Sequence, residues 1–159
     1  MKKYNKIIFG IGSNLGDRQK NLNIAIDKLS NYLNLNNLKI STIYKNPALL
    51  PSDAPSSWSI EFFNIAMSAE INLENYSFEK ILNIVKQIEA EIGRKSSARW
   101  SPREIDIDIL IVDEIIYKND DILNIPHIDL FVRDFFYKTT QEIEPQMLEN
   151  IKNKINNLN

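Results

Sequence analysis

Apolar and polar positions alternate with a period of two from Ile105 to Val112, which predicts a strand. Ile105, Ile107, Ile109 and Ile111 fall on one face, and Asp106 and Asp108 share the other with Leu110 and Val112. Three more strands are predicted: a short buried one over Lys6–Gly12, an alternating one over Leu38–Lys45 and a long one over Ile60–Leu73. Between them the period changes to 3.6. Asp17 precedes a helix with Leu22, Ala25, Ile26, Leu29 and Leu33 on one side. Ser77 precedes a second, with Phe78, Ile81, Leu82, Val85, Ile88 and Ile92 on one side and Gly93 at its end. Pro47–Trp58 carries three of the six prolines and reads as a loop. A short strand over Ile115–Tyr117, a turn, and helical pieces after Pro126 complete the chain, which becomes Asn- and Lys-rich from Met147. The order β-α-β-β-α-β predicts an α+β, ferredoxin-like antiparallel sheet with helices packed on its faces, three αβα layers in all. Residues 1–146 form the expected domain and 147–159 a polar tail or linker.

Length and composition narrow this only modestly. The chain has 159 residues, enough for one domain with a proper core, and its 43% hydrophobic and 25% charged content is ordinary for a globular protein. A net charge of −2 leaves no global basic field for nucleic acid, so recognition of any polyanion has to be local. The lack of cysteine excludes disulfides, thiolate metal sites and a cysteine nucleophile. The apolar run before Gly10 is too short for a signal peptide or a membrane span, and a cytoplasmic location is expected.

Candidate chemistry concentrates in Arg99–Leu110, RWSPREIDIDIL. Positions two apart on a strand lie about 7 Å from each other, so Asp106 and Asp108 could share a Mg²⁺ or hold a pair bridged by phosphate oxygens; a plain solvent-facing strand is the alternative. The chain writes Lys where a solvated charge suffices and has only five arginines, three of them (Arg94, Arg99 and Arg103) within ten residues. Arg133 follows the single histidine, His127, by six. Such planar, bidentate groups suit carboxylate or phosphate recognition, against the alternative of a surface salt-bridge cluster. Three of the four glycines fall in GIGSNLG, Gly10–Gly16, which is either a phosphate-binding loop or a tight turn requiring positive φ. Its spacing matches neither common nucleotide fingerprint.

The GSNLG turn, FFN at Phe62–Asn64, GR at Gly93–Arg94, RWSPREIDIDIL, and PH at Pro126–His127 with Arg133 and Phe135 behind it occur in order over about Ile8–Pro145. Together they resemble the 6-hydroxymethyl-7,8-dihydropterin pyrophosphokinase family, which moves the β,γ-pyrophosphoryl group of ATP to a pterin alcohol in folate biosynthesis and leaves AMP. The resemblance implies that Asp106 and Asp108 bind two Mg²⁺ ions, with ATP as co-substrate. It implies catalytic roles for Arg94 and Arg103 beside those aspartates, and ATP contacts from Glu89, Arg94, Arg99, Trp100, Arg103, His127 and Arg133. Asn64 would read the pterin edge, Phe62 and Phe135 would sandwich its ring, and Asn46, Pro47, Leu49 and Trp100 would complete that site. Arg99 and Trp100 would close over the reactants with their loop.

Ser96 stands where the family usually has a second arginine, and Ser101 where it usually has glycine; Ile128 and Ile122 replace a common aromatic and a common arginine near the nucleotide base. These changes bear on loop contacts and the adenine side. The family also implies a possible fusion to, or proximity of, dihydropteroate synthase. Two other readings of the chain are a catalytically weak nucleotide- or pterin-binding regulatory domain, and an RNA-binding ferredoxin-like module. Retention of both aspartates argues against the first, and the acidic pI near 5.5 with no aromatic RNP-type strand against the second.

Overall fold

A computed structural model describes residues 3–95 and 100–159. At the centre of its sheet lies β1 (Asn5–Ser13), antiparallel to β4 (Phe62–Ile71) on one side and to β5 (Asp106–Val112) on the other. β2 (Asn36–Ile40) and β3 (Tyr44–Asn46) pair in succession along the far edge of β4. The order β2-β4-β1-β5 is that of the expected antiparallel α+β sheet. A separate hairpin joins β6 (Tyr117–Asn119) to β7 (Leu123–Ile125).

One face of the sheet is wholly apolar. Ile7, Phe9 and Ile11 from β1, Ile65, Met67, Ala69 and Ile71 from β4, and Ile107 and Ile109 from β5 point to it. Two helices cover them: α1 (Arg18–Tyr32), through Leu22, Ala25 and Leu29, and α2 (Phe78–Ile92), through Ile81, Val85 and Ile88. Burial of each such large side chain contributes about 1.5–3 kcal/mol. The helix starts are those expected: Asp17 accepts a hydrogen bond from the Lys20 amide at 3.1 Å, and Ser77 one from the Lys80 amide at 3.2 Å. Gly93 ends α2 with φ 119°, a conformation that L side chains rarely adopt.

The other face is packed at one end only. There Ile8, Ala66, Leu110 and Ile111 meet Leu130, Phe136 of α3 (Asp134–Ile143), and Leu148 and Ile151 of α4 (Pro145–Asn157). The stretch from residue 147, expected to be a polar tail or linker, is therefore mostly helix and part of the core. Its short apolar stripe is hidden among Asn and Lys. Glu144, between the two helices, is buried beneath them and accepts hydrogen bonds from Lys6 Nζ at 3.0 Å and Ser68 Oγ at 2.9 Å. Burial opposes its charge, but those partners hold the carboxyl below its ordinary pKa.

Three strand expectations shift. Leu38–Lys45 is not one strand, because at Ser41 both the backbone N–H, donating to Ala66 O, and the side-chain Oγ, accepting from Ala66 N, bond to β4 at 2.9 Å, and the ladder breaks before β3. The alternation of β5 stops at a bulge opposite Ile8 and Phe9, so Ile111 joins Leu110 on the second face and Val112 returns to the first. Ile115 and Ile116 follow the turn at Asp113 and Glu114, where Asp113 has φ 44°, and the hairpin strand begins only at Tyr117.

Candidate active site

The open end of the second face is built by the same alternation that builds the core. Gly10 and Gly12 of β1, Asn64 of β4, and Asp106 and Asp108 of β5 occupy positions between the core residues and border one cleft, of about 910 Å³ with its open mouth included. Asn46, Ala48 and Leu49 wall one side, Trp100, Ser101 and Arg103 another, and Arg133, Phe135 and Phe136 the end nearest α3. The two glycines leave room in the cleft by being small. A methyl group on Gly12 would collide with Asn64 Oδ1, and one on Gly10 would lie 2.9 Å from the Phe136 ring. Neither belongs to a phosphate-binding loop or a tight turn; within GIGSNLG only Gly16 has positive φ, at 73°.

Charges in the cleft are paired through β5. Arg94 Nη1 donates to Asp106 Oδ1 at 2.8 Å and to Glu89 Oε2 at 2.6 Å, and Arg103 Nη1 donates to Asp106 Oδ2 at 3.0 Å. Glu89, buried on α2, also accepts from the Ile107 amide at 2.9 Å. It reaches the site through Arg94 and the edge of β5 and does not line the cleft. Burial pushes the Glu89 carboxyl up, against the pull of the Ile107 amide and Arg94. Burial also pushes Asp106 up, and the charge of Asp108 adds to it, while Arg103 and Arg94 pull it back. Burial works against the Arg94 cation, yet Asp106 and Glu89 outweigh it and raise its pKa.

His127 Nε2 lies 3.4 Å from Asp108 Oδ1, and its Nδ1 accepts from the Asp129 amide at 3.0 Å, which leaves the Nε2 side to carry the proton. The ring packs edge-on to Phe136 with centroids 5.0 Å apart. Arg133 pairs with Asp129 at 2.9 Å, its guanidinium carbon 6.0 Å from the centroid of Phe135. On the opposite wall Asn64 Nδ2 donates to Asn46 Oδ1, and Asn46 Nδ2 donates to Pro47 O at 3.2 Å. Phe62 and Phe135 line the same cleft. Trp100 stands at its mouth, partly exposed and with φ 72°. The left-handed conformation falls on Trp100 and not on Ser101, where the sequence departs from glycine.

The expected residues thus converge: Asp106, Asp108, Arg103, Arg133, Trp100, Asn46, Leu49, Phe62, Asn64 and Phe135 line one cleft, with Arg94 and His127 paired to its aspartates, Glu89 bonded to Arg94 and the Ile107 amide, and Pro47 O accepting from Asn46. Arg99 and Ser96 lie outside the described residues. Ile122 and Ile128 are exposed and away from the cleft lining. Sequence reasoning read Gly10, Gly12 and Asn14 only as parts of a candidate phosphate loop or tight turn and did not place the glycines at the cleft. Period-two phasing through the first strand would have placed the glycines on the aspartate face.

The sequence model of 7,8-dihydro-6-hydroxymethylpterin-pyrophosphokinase, HPPK, matches residues 8–145. The chain belongs to this family. A 2-amino-4-hydroxy-6-hydroxymethyldihydropteridine pyrophosphokinase of Aquifex aeolicus is 38% identical over 153 residues, covering 93% of this chain and 86% of that protein. A folate synthesis bifunctional protein of Chlamydia trachomatis is 33% identical over 91% of this chain, which spans only 32% of that longer protein. Among solved structures, a Plasmodium falciparum HPPK-DHPS triple mutant with pteroate superposes with a TM-score of 0.63 at 12% identity, over 98% of this chain and 44% of that one. That likeness is one of fold. Among the described residues no helix is long and apolar enough to cross a membrane.

Proposed function

We propose that this HPPK-family cleft transfers the β,γ-pyrophosphoryl group of ATP to the hydroxymethyl oxygen of 6-hydroxymethyl-7,8-dihydropterin. The oxygen bonds to the β-phosphorus as the bond from that phosphorus to the α,β-bridging oxygen breaks, and AMP leaves. The observation that carries this reading is the placement of Asp106 and Asp108 with two arginines in the same cleft as the Asn46–Asn64 amide pair and two phenylalanines. One end suits polyphosphate and the other a flat, hydrogen-bonding ring.

The donor set fits magnesium. Among the described residues no three carboxylates or histidines form a cage, but Mg²⁺ is commonly held by one or two carboxylates together with substrate phosphates. Asp106, half-buried beside a second carboxylate, is a group that a cation would stabilise in its charged form. Two Mg²⁺ ions held by Asp106 and Asp108 would neutralise phosphate charge and polarise the reacting groups.

The chain's own groups do the rest. Arg94 and Arg103 are held beside Asp106 and present their guanidinium groups to negative charge that develops on the transferring phosphates. His127 and Arg133 hold the triphosphate from the α3 side. Asn64 offers the pterin edge both a donor and an acceptor, and Phe62 and Phe135 stack on its faces. No strong base is required, because positioning and charge carry phosphoryl transfer. Trp100, at the mouth, closes over the reactants and helps to exclude water.

The deciding experiment follows AMP release from ATP, with and without 6-hydroxymethyl-7,8-dihydropterin, over a Mg²⁺ titration. Pterin-dependent AMP formation is expected; binding of both ligands without AMP would make the domain a regulatory binder. Trp100 fluorescence in a Trp58→Phe background should change only when nucleotide and pterin are both bound. A full change with nucleotide alone would refute closure on the ternary complex.

A further inference from the structure

Between β1 and α1 lies Asn14, a residue that is not itself an expected substrate contact and yet is 1% exposed with both ends of its side-chain amide bonded. Its Oδ1 accepts from the Arg103 amide at 2.9 Å, and its own backbone N–H donates to Arg103 O at 3.1 Å. Its Nδ2 donates to Ile60 O at 3.2 Å. One side chain therefore joins the segment that delivers Arg103 to the segment that enters β4, two residues before Phe62 and four before Asn64. Arg18, four residues on, reinforces the second attachment: its Nη1 donates to Glu61 O at 2.8 Å while its guanidinium stacks 3.8 Å over Phe63. Consecutive carbonyls, Ile60 and Glu61, are gripped from the same turn.

We infer that Asn14 is a positioning residue that couples the two halves of the cleft, setting the main chain of the phosphate-side Arg103 against that of the pterin-side Phe62–Asn64. The inference rests on the substrate assignment proposed above. An amide suits the task because it offers an uncharged acceptor and an uncharged donor on one short planar group. A buried hydrogen bond is costly to leave half made, so the two segments move together or not at all. Pterin binding orders Ile60–Asn64 and, through Asn14, brings Arg103 into register with the phosphates.

Two variants separate the attachments. Asn14→Asp keeps the acceptor for the Arg103 amide and loses the donor to Ile60 O, whereas Asn14→Ala loses both. Each would be titrated with a non-hydrolysable ATP analogue, with pterin, and with pterin in the presence of the analogue; single-turnover AMP formation would be measured at saturation. Asn14→Asp is expected to weaken pterin binding about tenfold, the size of one lost buried hydrogen bond, with analogue affinity within about threefold of the parent. Asn14→Ala is expected to lose pterin affinity similarly and to lower the single-turnover rate about tenfold as well, through Arg103. Pterin affinity and rate unchanged in both variants would overturn the assignment. So would an equal loss of analogue and pterin affinity in Asn14→Asp, which would make Asn14 a general prop of the fold. Failure of the substrate reading is distinct: the parent itself would release no AMP with pterin.

Discussion

The two faces of the sheet are made by the same three strands, and alternate residues of each strand serve opposite ends. On the face under α1 and α2, every inward position of β1 and β4 between Ile7 and Ile71 that meets the helices is aliphatic or aromatic. On the other face the same strands carry Gly10, Gly12, Asn64, Asp106 and Asp108, and α3 and α4 cover only the far end. The first face stabilises; the second is left unfinished, and the unfinished part is the cleft. Because the core beneath it is rigid and dry, the carboxylates and amides above are held in place without having to stabilise the fold themselves.

The largest test of this division removes charge from the open face. Asp106→Ala and Asp108→Ala are each expected to lower pterin-dependent AMP release about a thousandfold, about 4 kcal/mol in the transition state. The domain should stay folded by circular dichroism, since neither residue belongs to a core cluster. Near-normal turnover at saturating Mg²⁺ would remove the aspartates from the mechanism. The reciprocal test, Leu29→Ala beneath the covered face, should cost about 2–5 kcal/mol in a denaturant melt. AMP release per folded molecule should be retained, and a matching loss of turnover would show that the faces are not independent.

A smaller effect sharpens the boundary. Gly12→Ala adds one methyl group facing Asn64 Oδ1, at a position whose backbone is not in the left-handed region. Pterin affinity should fall about tenfold, about 1.4 kcal/mol, with the affinity for an ATP analogue little changed; calorimetric titration of each ligand checks it.

The smallest effects lie in pH. Glu89 and Glu91 sit two residues apart on α2, one buried under β5 and one outside. Hydrogen bonds from Lys28, Tyr32 and Gln87 lower Glu91 from 4.5 to about 2, so its contribution is present above 4.5 and fades as pH falls towards 2. Burial raises Glu89 above 4.5, so its folded state takes up a proton first. Stability linked to Glu89 is complete below 4.5 and is lost as pH rises through the raised value. In melting curves, as pH falls, the parent's advantage over Glu91→Gln should therefore shrink, while the parent should gain stability relative to Glu89→Gln. Parallel trends would mean that the burial of Glu89 is offset by its Arg94 and Ile107 partners.

Much of this was legible in the chain. Helix periods ran through Leu22–Leu33 and Phe78–Ile92, with Asp17, Ser77 and Gly93 at their ends, because caps and periodicity are local. The β5 alternation exposed Asp106 and Asp108, and scarce arginines marked Arg94 and Arg103. What was missed has a common cause. Ser41 breaks a strand through a bond to Ala66, the β5 bulge answers the register of β1, and residues 145–157 become a core helix only because Ile8, Ala66 and Leu110 lie ready to receive Leu148 and Ile151. Each depends on a partner far away in sequence.

The sequence by itself determined the two capped helices, the acidic strand and the family resemblance, since periodicity, caps and side-chain type are properties of neighbouring residues. The tertiary structure alone decided that Gly10 and Gly12 floor a cleft, that Glu89 acts through Arg94 and the Ile107 amide, and that Asn14 joins Arg103 to Ile60. Those are statements about which segments lie side by side. Packing decides them, because a hydrogen bond or a van der Waals contact depends on distance in space and not on distance along the chain.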